Sequence, residues 1–172
     1  MASNLSGKKA TVGAVPSTKS RVDLRRNLTR VISSWRLIKQ ANSEVGPPFD
    51  RPSSVLKREL YRIAHDLVVE RENPGALAVV ASLGHRMSDV PNERVKLFLG
   101  LLNVIADDEL ARTEKHRYAN ELAYARRHKM PVELLIGFLM QTGAGKRIKQ
   151  LVDDPHRTEA WFRPGHQLEW SA

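Results

Sequence analysis

Cysteine is absent from the 172 residues. Its absence excludes disulfides and thiolate metal sites, and nothing in the chain calls for an oxidising compartment. No uninterrupted apolar run approaches the roughly 18 residues of a membrane span, and the start, MASNLSGKKATVG, lacks the apolar core of a signal peptide. A cytoplasmic protein that does not engage a membrane is therefore expected. Acidic residues are scarce in one place only. Residues 1–40 contain one carboxylate, Asp23, against nine basic groups: Lys8, Lys9, Lys19, Arg21, Arg25, Arg26, Arg30, Arg36 and Lys39. Residues 41–172 hold 19 basic and 18 acidic groups, so the first quarter carries a surplus of eight out of the net +9. Clustered cationic charge favours a polyanion, because neutralised phosphates release condensed counterions. An acidic protein or an anionic membrane surface would satisfy the same charge, but single-stranded RNA or DNA is the expected partner.

Signatures of catalysis are also missing. The six histidines, His65, His85, His116, His128, His156 and His166, form no HExxH, HxxxH or other zinc spacing. Asp107-Asp108-Glu109 and Asp153-Asp154 sit where acids complement helix dipoles, a simpler role than gathering magnesium. Gly143-Ala144-Gly145-Lys146 resembles a phosphate loop only in part. Met140 occupies the first glycine position of that motif, Arg147 replaces its Ser or Thr, and a helix precedes it in place of a strand. No nucleophile elbow or Ser-His-Asp set stands out. The expectation is a non-enzyme with no cofactor and no metal.

What is present is helical periodicity. In Arg21 to Gln40, Leu24, Leu28, Val31, Trp35 and Ile38 share one face, Arg26, Arg30 and Ser33 fall opposite, and Arg25 and Arg36 flank the stripe. Pro and Gly break the chain over Ala41 to Pro52. Ser53 or Ser54 then caps a helix to about Glu72, with Leu56, Leu60, Ile63, Ala64, Leu67 and Val68 inward. Ala76 to Met87 reads as a short buried helix, with a strand through Val79-Val80 as the alternative. Asn92 caps a strongly apolar segment to Ala106, expected to be the central helix. A helix opening on Asp107-Asp108-Glu109 runs to about Lys129, Pro131 opens another over Val132 to Gln141, and Lys146 to Val152 continues as a basic turn. The prediction is an all-α compact bundle of five or six helices: a flexible basic arm over 1–20, a helical domain over 21–154 and an aromatic tail over 155–172.

Within this outline the expected nucleic-acid contacts are Lys8, Lys9, Lys19, Arg21, Arg25, Arg26, Arg30 and Arg36, joined by Arg126, Arg127, Lys146 and Arg147 in the two later basic breaks. Trp161, Phe162 and Trp170 lie among Pro and Gly without helical spacing. They either fold over the chain's own core or dock a neighbouring subunit, since Trp is enriched at interface hot spots. Asn120 to Met140 has the outline of a helix-turn-helix, but its second helix, PVELLIGFLMQ, has few polar groups to reach base edges. A duplex-DNA regulator is therefore the weaker alternative, behind a self-assembling RNA coat protein and ahead of a helical adaptor for an acidic protein.

Two stretches carry a family resemblance. Ser82 to Leu102, SLGHRMSDVPNERVKLFLGLL, resembles the Ser-Leu-Gly turn and following apolar helix of the small subunit of type I-E CRISPR Cascade complexes. Glu121 to Leu139, ELAYARRHKMPVELLIGFL, resembles that family's closing pair of helices. The similarity spans residues 55–140. The chain departs from the pattern in a longer region over Val104 to His116, in GAGKRIKQLVDD after the last helix, and in the basic arm before Trp35. The resemblance implies an all-helical structural subunit of a ribonucleoprotein that steadies a nucleic-acid strand through phosphate contacts, base pairing supplying the specificity.

Overall fold

The computed structural model describes residues 18–41, 44–69, 76–81, 83, 90–106, 108–143, 148–149, 152 and 154. These form six α-helices: α1 (Thr18–Ala41), α2 (Pro52–Val69), α3 (Ala76–Ala81), α4 (Glu93–Ala106), α5 (Arg112–Arg127) and α6 (Leu135–Thr142), the last preceded by a 3-10 turn, Val132–Leu134. The protein is all-α, with no strand among the described residues.

Helix α1 is held by the stripe its periodicity predicts. Leu24, Leu28, Val31 and Trp35 are buried, while Ile38 is only half-buried because the stripe rotates outward near the helix end. The helix begins at Thr18, three residues before Arg21, and packs on α2, α3 and α4.

Helix α2 is started differently from expectation. Its N-cap is Arg51, whose carbonyl accepts from Val55 N–H at 3.0 Å. Pro52 then takes the first helical position, where its missing N–H costs nothing. The expected serine cap is replaced by Glu44, reaching back across the connection. Ser53 donates its N–H to Glu44 Oε1 at 2.8 Å and its hydroxyl to Oε2 at 2.5 Å. A carboxylate satisfies an orphan donor and complements the helix dipole, which a neutral serine does less well.

Asn92 caps α4 as its position suggests, accepting from Arg94 N–H at 3.1 Å and Val95 N–H at 3.3 Å. Beyond the cap, Val95, Leu97, Phe98, Leu99, Gly100, Leu101, Leu102, Ile105 and Ala106 are all buried. An apolar surface on nearly every side needs neighbours all round, and α4 touches α1, α2, α3 and α5. Full burial of Phe98, Leu101 or Leu102 contributes about 1.5–3 kcal/mol each. Phe98 stacks on Tyr61 of α2, ring centroids 6.2 Å apart. Val79 and Val80 are buried in helix rather than strand.

The acids after α4 do not open the next helix. Asp108 and Glu109 lie in a turn, and α5 starts only at Arg112. Its first-turn carboxylate is Glu114, which accepts from Ala111 N–H at 3.4 Å. Ile148 and Val152 are buried as well, and Asn92 Nδ2 meets the Val152 carbonyl at 3.5 Å.

Candidate polyanion-binding surface

Because α1 spends one stripe on the core, its cations line the rest. Arg21, Arg25, Arg26, Arg30 and Arg36 are all exposed. Arg21 and Arg25, and likewise Arg26 and Arg30, stand four residues apart, about 6 Å along the axis at 1.5 Å per residue. Their electrostatic state differs from position to position. Arg26 faces Asp23 at 3.9 Å, both well solvated. Arg36 is engaged more closely: its Nε lies 2.6 Å from Glu109 Oε1. Lys39 approaches Glu109 at 3.9 Å and lies 4.9 Å over the Trp35 ring. Arg36 therefore has an intramolecular carboxylate as a competing partner. Arg21, Arg25 and Arg30 have no acidic partner among the described residues; Arg21 and Arg25 lie along one flank of the apolar stripe and Arg30 lies on the opposite side of the helix.

Arg126 and Arg127 lie elsewhere, at the C-terminal end of α5, in a cleft of about 720 Å³ that α1 does not line. The cleft is bounded by Tyr61 and His65 of α2, Arg94 at the start of α4, and Lys129 to Glu133. Among the described residues, four permanent cations, Arg94, Arg126, Arg127 and Lys129, share it with one carboxylate, Glu133. Burial lowers the Arg126 pKa; Tyr61 offsets this in part, and the neighbouring Arg94 guanidinium adds to it. The floor is fixed by Tyr61, whose hydroxyl donates to the Met130 carbonyl at 2.9 Å. Burial pushes the Tyr61 pKa up to about 12, with Arg126 pulling the other way.

The turn carrying Lys129 is a Schellman cap. Met130 N–H reaches Ala125 O at 3.1 Å and Lys129 N–H reaches Arg126 O at 3.0 Å. The first residue past such a cap must be left-handed, and here Lys129 takes φ 54° where glycine is usual. Arg94 and Lys129 were not among the residues the sequence nominated. Basic clustering over Arg126 to Lys129 was visible in the chain, but nothing local links Arg94 to it.

Among the other nominated residues, Lys19 lies within α1 with its side chain outside the described atoms. Lys8, Lys9, Lys146, Arg147, Trp161, Phe162 and Trp170 lie outside the described residues. Ser82 and Gly84 of the resembling turn also lie outside, while Leu83 is buried and donates its N–H to Val80 O at 3.1 Å. Among the described residues no group of three or more His, Asp or Glu is placed to hold a metal ion. No described helix is long and apolar enough to cross a membrane. Set against family models, curated proteins and solved structures, the chain finds no match in any of the three.

Proposed function

We propose that the chain is a non-catalytic, nucleic-acid-binding structural subunit that steadies a single strand through its backbone phosphates. The observation that carries this reading is the outer surface of α1, where Arg21, Arg25 and Arg30 are exposed and without acidic partners among the described residues. Guanidinium groups on a convex helix suit contacts to successive phosphates, which fix position without reading sequence. The resemblance of residues 55–140 to the Cascade small subunit extends the proposal to a CRISPR-type ribonucleoprotein.

The test is a salt titration of the purified chain with single- and double-stranded oligonucleotides of unrelated sequence. Sequence-tolerant binding that prefers single strands is expected, with log K falling linearly against log salt. Arg25→Gln, Arg26→Gln and Arg30→Gln together should reduce the slope by about 2–3 units. A slope left untouched by the triple change would remove α1 as the contact surface. Long rods formed with RNA, seen by light scattering, would instead favour a coat protein.

A further inference from the structure

The cleft beside the end of α5 has a different character from α1. It is concave, and its cations converge from three separate elements: Arg94 from the start of α4, Arg126 and Arg127 from α5, and Lys129 from the turn beyond. Arg94, Arg126 and Lys129 have no carboxylate partner among the described residues, although acids are plentiful in this part of the chain. Among the described lining residues, Arg94, Arg126 and Lys129 against Glu133 leave two positive charges in one concavity. Such a concentration repels itself unless an anion of more than one charge enters, and paired guanidinium groups match phosphate oxygens in fork geometry. His65 also lines the cleft, with Asp66 3.6 Å from its Nδ1.

The backbone at Lys129 points the same way. A non-glycine residue in the left-handed region is disfavoured by its Cβ, and a glycine at this cap position would avoid that cost. A lysine, where glycine is usual, stands at φ 54° on the lining of a basic cleft. Local strain of this kind gathers at ligand sites.

We infer that this cleft binds a phosphomonoester, with Arg94, Arg126 and Lys129 on the phosphate oxygens and Glu133 accepting from hydroxyl groups beside it. A sugar phosphate satisfies both demands: a dianion for the cations and hydroxyl donors for the carboxylate. Its volume lies within the range of small-molecule sites, and Pro131 and Val132 offer an apolar edge to a nucleobase. The ligand class is thus a nucleoside monophosphate, supplied either free or as the phosphorylated end of a strand. The inference is independent of the α1 proposal, since no α1 residue is among the described lining residues.

Calorimetric titration of the full chain with adenosine monophosphate, and with adenosine as control, tests the site. Saturable binding of the monophosphate and none of the nucleoside is expected. Arg126→Gln, checked for folding by circular dichroism, should weaken it about tenfold or more, the usual loss when a charged hydrogen bond goes. Lys129→Gly is the decisive variant, because it should raise the melting temperature while weakening monophosphate binding. The α1 triple variant should leave monophosphate binding intact even where strand binding is lost. Tighter binding of a 5′-phosphorylated than a 5′-hydroxyl oligonucleotide identifies a strand end as the source. Equal binding of the two, with the mononucleotide still bound, identifies the free nucleotide. Absence of monophosphate binding, or affinity unchanged in both Arg126→Gln and Lys129→Gly, overturns the inference.

Discussion

Tyr61 shows how much one hydroxyl holds in this molecule. It is buried between the core, where its ring stacks on Phe98, and the cleft, where its O–H donates to the Met130 carbonyl. Tyr61→Phe keeps the ring but leaves a buried carbonyl without that donor, at a cost of about 1–3 kcal/mol. A lower urea midpoint with an unchanged helical spectrum would show this. The same group makes the fold sensitive to alkali. Its pKa rises from the ordinary 10.0 to about 12 in the folded chain. Its stabilising contribution is therefore complete below pH 10 and is lost as pH climbs toward 12, because the unfolded chain releases the proton first. The phenylalanine variant should lose stability less steeply over that window. Equal slopes for the two proteins would show that Tyr61 is not the titrating group.

At the scale of elements, α2 and α5 are joined by a charged pair that no local pattern announces. Lys57 Nζ meets Glu121 Oε2 at 2.6 Å, with side chains only 14% and 10% exposed. The ammonium also lies 4.3 Å over the Tyr118 ring. Removing one partner strands the other in a low-dielectric setting, so Glu121→Ala should cost about 3–5 kcal/mol by chemical denaturation. Lys57→Met combined with Glu121→Leu should recover most of that loss. A single-variant cost under about 1 kcal/mol would show that water reaches the lysine. The reach of such contacts explains what could be read beforehand. The α1 stripe, the Asn92 cap and the apolar α4 are written in neighbouring residues. The Glu44 cap acts from nine positions before Ser53, and Glu109 meets Arg36 from 73 positions away. Periodicity and capping rules carry no information about partners that only folding brings together. For the same reason Arg126 and Arg127 could be nominated while Arg94, which shares their cleft, could not.

For the whole molecule, charge and core are partitioned. The apolar α4 lies against four other helices, while Arg21, Arg25, Arg26, Arg30 and Arg36 of α1 are exposed. Helix α1 is attached through one stripe, and its outer side meets solvent with Val22 and Leu37 exposed among the cations. Attachment by a single face has a consequence for the timing of amide exchange. Amides of α4 should exchange with solvent deuterium only when the entire chain opens. Those in the first half of α1 should exchange through a smaller, earlier opening. A strand laid on Arg21, Arg25 and Arg30 would bind only the docked helix, and so should slow exchange in α1 by mass action while barely changing that of α4. Mass spectrometry with and without an oligonucleotide would register this as protection confined to one helix. Protection spread evenly through the chain would mean that α1 opens only with everything else. In those terms a bound polyanion would make the basic helix a latch and set its closed population.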